Sequence, residues 1–151
     1  MRNPIPFSKH QAILFLVFFC HCTLGWAQTD LTITITHISA AKGQLLYSLY
    51  KQENGFPDDP DRAFRRGAIP VKGNQLTHVE KNLPPGTYAI SLVHDENGNN
   101  RLDKNLMGIP TESFAFSNNV MGAFGPPKFS RASFVVQAGA KNMQSIRLRR
   151  F

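Results

Sequence analysis

The sequence predicts an all-β fold: an antiparallel β-sandwich of immunoglobulin-like or transthyretin-like type, with about seven strands. Three observations carry this. Apolar residues alternate with polar ones in short runs. No stretch repeats apolar residues at helical spacing over three turns. Clusters of Gly, Pro and Asn separate the runs.

Residues 1–27 come first and read as an export signal rather than as part of the sandwich. Arg2 and Lys9 precede an unbroken apolar run over 12–19, and Gly25 and Ala27 put small residues before a cleavage point. The run is too short for a membrane anchor, and His21 and its polar neighbours end it. Cleavage after Ala27 gives a mature chain, 28–151, read as one domain that is periplasmic or extracellular. The whole chain has 151 residues and a net charge of +7. Loss of Arg2 and Lys9 leaves fifteen Lys and Arg against ten Asp and Glu, a net +5. Cys20, Cys22 and Trp26 leave with the signal, so the exported domain has no disulfide and depends on its core. It contains no second long apolar run, hence no transmembrane segment.

The strands follow in order. Over 31–36, Leu31, Ile33 and Ile35 alternate with three threonines, the pattern of a half-buried strand. Lys42-Gly43 turns the chain into 44–50, where Leu45, Tyr47 and Leu49 share a face. A weaker strand covers 75–79. Pro84-Pro85-Gly86 leads into 87–93, the strongest of the set, with Tyr88, Ile90 and Leu92 on one side. Strands over 132–136 and 143–148, joined at Ala138-Gly139, complete the fold. Two long connections remain, 51–70 and 94–129. The first has room for one helical turn at 57–66, with acids early and arginines late. The second carries Phe114, Phe116, Phe124 and Phe129, too many aromatics for a solvated linker, so it is expected to pack on the sandwich.

The second connection opens on HDENGNNRLDKN, residues 94–105. Hard cations such as Ca²⁺ take six to eight oxygen ligands. Asp95, Asn97, Asn99 and Asp103, with the Arg101 carbonyl, have the spacing that wraps such an ion, and Glu112 can add a carboxylate if the chain folds back. Asn100 occupies the position where a positive φ is expected, which Asn tolerates. Leu106 replaces the glutamate of a helix–loop–helix calcium site, and a strand precedes the loop, so a true EF-hand is rejected. Two readings stand: a calcium loop with affinity of ~10⁻⁴–10⁻³ M, and a plain polar hairpin turn at Asn97-Gly98. The neighbouring surface offered to a ligand is Phe114, Phe116, Ser117, Asn118 and Asn119.

The segments GTYAISLVHDENGNNRLD, GIPTESFAFSNN and FGPPKFSRASF resemble the bacterial domain of unknown function 2141 family, small exported proteins without an assigned activity. Gly108, Pro110, Glu112, Ser117, Asn118, Pro126, Pro127, Phe129 and Ala132 carry the likeness; Ser130-Arg131 departs from it, where members often have acidic residues. The resemblance implies an exported β-sandwich with the Asp/Asn loop as a family feature, and it implies no reaction. NLPPGTYAI is also similar to a turn and strand of transthyretin-like and carboxypeptidase-regulatory sandwiches. The chain ends SIRLRRF, without the Tyr-Arg-Gly-Ser ending of the transthyretin-like hydrolases.

Other chemistries find little support. His37, His78 and His94 have no zinc-ligand spacing. Ser117 lacks a nucleophile-elbow context. The clusters Arg62, Arg65, Arg66 and Arg147, Arg149, Arg150 suit an anionic envelope component better than nucleic acid, a poor partner for an exported protein and one that no basic-aromatic motif supports. The expected function is therefore a non-enzymatic binding or envelope-accessory sandwich with a Ca²⁺-stabilised loop. The alternatives are a small periplasmic hydrolase that uses loop carboxylates and a carrier of a small apolar ligand held in a gap between the sheets.

Overall fold

The computed structural model describes residues 29–123 and 125–150. The expected export signal, Phe124 and Phe151 lie outside them. Eight strands occur among the described residues: β1 Thr29–Thr36, β2 Gln44–Tyr50, β3 Arg65–Pro70, β4 Gln75–Leu83, β5 Gly86–Asp95, β6 Phe114–Phe116, β7 Phe134–Val136 and β8 Asn142–Arg147. They form two sheets. The first has the order β4-β1-β8; the second has the order β3-β2-β5-β6, and β7 also pairs with β5. This is the all-β sandwich that the alternation predicts.

Period-two alternation places the core. Leu31, Ile33 and Ile35 of β1 point inward and are buried, as are Leu45 and Leu49 of β2, Tyr88, Ile90 and Leu92 of β5, and Ile146 of β8. Each such side chain contributes about 1.5–3 kcal/mol on burial. The threonines of β1 take the outer face, partly exposed.

The structure departs from the sequence reading at three places. The connection 51–70 does hold a 3₁₀ turn at Pro60–Arg62, but Arg65–Pro70 is an edge strand paired antiparallel to β2. Ile69 is its one large inward apolar residue, so its alternation is faint. The ring of Tyr47 lies over Gly67, where a Cβ would stand 2.7 Å from the ring. Second, Phe114–Phe116 forms a short strand on β5 where the sequence suggests only loop. Third, β8 runs parallel to β1, against the expectation of purely antiparallel pairing. The chain leaves β7 in the second sheet and crosses to the first, which brings it alongside β1 in the same direction. The Asn142 side chain pins this crossing: its oxygen accepts from the Gln137 amide at 2.9 Å, and its nitrogen donates to the Gln137 and Ala140 carbonyls.

The expectation that the second long connection packs on the sandwich is borne out. Phe114 and Phe116 join Ala89 and Ala132 in a second apolar cluster on the outer face of the second sheet, with Phe56, Val93, Leu102 and Phe129 against it. Phe56 makes edge-on ring contacts with Tyr50, Phe116 and Phe129. The second sheet is therefore apolar on both faces, and the two long connections cover its outer side.

Candidate functional site

The Asp/Asn loop leaves the end of β5, and Asp95 organises it. Asp95 is fully buried. One carboxylate oxygen accepts from the Gly98 and Asn99 amides at 2.7 and 3.1 Å; the other accepts from the Asn100 amide at 2.9 Å and the Gln44 side chain at 2.8 Å. Burial pushes the Asp95 carboxyl up, but these four donors outweigh it and hold the group below its ordinary range. Asn100 has φ 63°, the left-handed conformation anticipated for it, and Gly98 has φ 78°.

Glu112 folds back onto the loop, as the sequence reading requires. It is buried, and its two oxygens accept from the amides of Glu96 at 2.9 Å and Asp103 at 3.1 Å. Asn97 and Asn99 both turn their side-chain N–H groups to Asp103, at 2.6 and 2.8 Å. Their oxygens accept from the Asn99 and Arg101 amides. The Arg101 guanidinium stands 3.4 Å from the Asp103 carboxylate. Hydrogen bonds from Asn99 and Asn97, then the Arg101 charge, hold Asp103 below its ordinary range. Three of the six residues suggested as ligands therefore meet at one point, and Asp95 and Glu112 grip the backbone around it. Among the described residues no three Asp, Glu, His or Cys side chains are grouped as they are in a carboxylate-, imidazole- or thiolate-only metal centre, so a cation here would draw on the Asn and carbonyl oxygens as well.

At the base of the loop, His94 is fully buried. Its Nε2–H donates to the Lys42 carbonyl at 2.9 Å, and its Nδ1 lies 3.3 Å from the Ser39 hydroxyl. That hydroxyl donates to Glu96 at 3.0 Å, and Glu96 also pairs with Lys42 and Arg150.

Of the residues suggested for a ligand surface, Phe114 and Phe116 line a groove of about 650 Å³ on the outer face of the second sheet. Its floor is Leu46 and Ser48 of β2, Ala68 of β3, and Ser91 and Val93 of β5. One wall is Pro57, Asp58, Pro60 and Arg66; the other is Asn100, Arg101 and Leu102 of the Asp/Asn loop. The groove lies outside the sheet pair, not between the sheets. Ser117, Asn118 and Asn119 hold segments together. The buried Ser117 hydroxyl accepts from the Ile90 amide at 2.9 Å and donates to the Ala132 carbonyl at 2.6 Å. Asn118 donates to the Arg131 and Ser133 carbonyls, and Asn119 bridges to Ser145 and Arg147.

Sequence reasoning misses the groove's floor and a second polar centre. A signal for the floor exists: Leu46 and Val93 stand at outward positions of β2 and β5, which predicts cover on that side too. The polar centre is Glu80, 6% exposed on β4. It pairs with Arg65 at 2.7 Å and His78 at 3.1 Å. Burial raises its pKa, and hydrogen bonds from Arg65, His78 and Tyr47 overcome that and lower it. Burial and then Glu80 push the Tyr47 hydroxyl up to about 12.

Fold and site together define a small two-sheet β protein with a loop-walled groove. Residues 33–144 match the family model DUF2141, described as an uncharacterized protein conserved in bacteria, and the chain belongs to that family. No curated protein and no solved structure matches the chain. No helix among the described residues is long and apolar enough to cross a membrane.

Proposed function

We propose that the chain is an exported, non-enzymatic binding module whose ligand is a small, largely apolar molecule held in the groove on the second sheet. The groove itself carries this reading. Its volume of about 650 Å³ falls in the range of small-molecule sites, its floor combines apolar and small side chains, and Arg66, Arg101 and Asp58 supply polar groups at the walls. The rival hydrolase has less support, because Asp95 and Glu112 already accept amide donors on both oxygens. Net positive charge favours an anionic envelope component as the surrounding partner.

The test uses 8-anilinonaphthalene-1-sulfonate as the probe in calorimetric titrations. The unsubstituted chain takes up the probe saturably, and Ser91→Trp, which fills the floor, abolishes the heat. Equal heats from both chains overturn the reading.

A second element of the proposal is Ca²⁺ on the loop. The meeting of Asn97 and Asn99 with Asp103 supports it. An ion would take the Asp103 oxygens, with the two amides turning their own oxygens toward it; Asp95, Glu112 and the Arg101 segment would hold the loop in place. Thermal melts in ~10 mM Ca²⁺, well above the affinity of extracellular modules, then show a rise that Asp103→Asn removes. Identical melts with Ca²⁺ and with chelator reject it.

A further inference from the structure

Strand register divides the floor of the groove into two rows. Arg66, Ser48 and Ser91 stand opposite one another across β3, β2 and β5. Leu46, Val93 and Phe114 do the same across β2, β5 and β6. The rows are two residues apart along each strand, about 6.5–7 Å. One side of the floor is therefore polar and the other apolar.

The protein does not use up the donors on the polar side. The Ser48 hydroxyl hydrogen-bonds to Tyr50. The Ser91 hydroxyl, half-buried in the floor, has no hydrogen-bond partner among the described residues. At the wall, Asn100 accepts from Gln44 through its oxygen at 3.0 Å, and Arg66 donates to Asp61 through one nitrogen only. A hydrocarbon laid over this row would take the Ser91 hydroxyl out of water unpaired. A ligand with an oxygen acceptor avoids that cost, which is how a buried hydroxyl discriminates between molecules of one shape.

The charges at the walls are balanced within the protein. Asp61 pairs with Arg66, Asp103 stands 3.4 Å from Arg101, and Asp58 adds a further negative charge. A carboxylate or phosphate would meet no unopposed cation, and its burial would cost its hydration. Asp58 is exposed, so water screens its attraction for an ammonium group.

We propose, on the basis that the groove is the binding site, that its ligand is an uncharged amphiphile. Its apolar body lies over Leu46, Val93 and Phe114, and a carbonyl oxygen, of an ester, amide or ketone, accepts from the Ser91 hydroxyl. Four naphthalenes of similar shape test this by calorimetric titration. 1-Acetonaphthone carries a carbonyl, 1-ethylnaphthalene a hydrocarbon, 1-naphthoate a carboxylate and 1-naphthylmethylammonium a cation. The ketone binds about tenfold more tightly than the hydrocarbon, the effect of one hydrogen bond, and more tightly than either ion. Ser91→Ala, with its melting temperature kept, removes the preference for the ketone and leaves the hydrocarbon affinity in place. A merely structural role would weaken all four probes alike. An ion that binds more tightly than the ketone, or a ketone preference that survives in Ser91→Ala, overturns the proposal. Saturable heat from 8-anilinonaphthalene-1-sulfonate, with no ranking among the naphthalenes, overturns this proposal and leaves the groove reading standing. No heat from any of the five probes overturns both.

Discussion

Replacing Asp95 by alanine removes the acceptor of four hydrogen bonds at once, three from loop amides and one from Gln44. Hydrogen bonds to a charged group contribute about 1.5–3 kcal/mol each, but they are not additive, and loop amides freed by the change can turn to water. A loss of about 3–4 kcal/mol is expected, in the range of the larger single-site effects. For a domain of this size that lowers Tm by roughly 10–15 °C. The assay is a thermal melt by circular dichroism, run in chelator. The condition matters, because a structural acceptor destabilises without any metal, whereas a residue acting only as an ion ligand destabilises only when the ion is present. A Tm within about 3 °C of the unsubstituted chain in chelator, a change below ~1 kcal/mol, refutes the argument that Asp95 builds the loop.

Other consequences can be measured on the same protein. Asp95 and Glu80 have folded pKa values below their unfolded ones, so their stabilisation is full above the unfolded carboxylate range and disappears as pH falls through the folded values. Urea melts across the acid range therefore show a steep loss, and the double variant Asp95→Asn with Glu80→Gln flattens that slope; an unchanged slope counts against both sites. Tyr47, Tyr50 and Tyr88 all have raised pKa values, each first through burial. Alkaline titration of the folded protein by ultraviolet absorbance places all three ionisations above 10, Tyr47 near 12, and a tyrosine titrating at its ordinary value would contradict the packing. Ser117→Ala strands the Ile90 amide and the Ala132 carbonyl in a buried site and costs about 2 kcal/mol in urea unfolding; a change below ~0.5 kcal/mol rejects that role.

Strong local alternation made much of the fold legible. β1 buries every second side chain, and β2 and β5 turn alternate large apolar side chains to the core, Leu45 and Leu49 in one and Tyr88, Ile90 and Leu92 in the other, so the signal survives in a single sequence. The misses have local causes. β3 hides because Gly67 and Arg65 occupy inward positions and only Ile69 shows the period. β6 has three residues, all buried because the second cluster covers its outer face, so Phe114-Ala115-Phe116 shows no alternation. The direction of β8 depends on a crossing between sheets, which the strand's own residues do not encode. The loop was legible in composition and in the left-handed Asn100, because its residues are neighbours in the chain. The roles within it were not: which carboxylates grip amides is decided by Gln44 and by the return of Glu112. The groove was hidden for the same reason, since its floor comes from three strands and its walls from two connections.

The central claim is that the groove on the second sheet is the binding site. The most direct measurement is a titration of the ¹⁵N-labelled chain with 8-anilinonaphthalene-1-sulfonate, followed by amide chemical shifts. The account predicts saturable shifts centred on Leu46, Ser91, Val93, Arg101 and Phe114, with the outer face of β1 unmoved. Shifts confined to the β1 threonines or to the apolar run 12–19, with those groove amides silent, would contradict it.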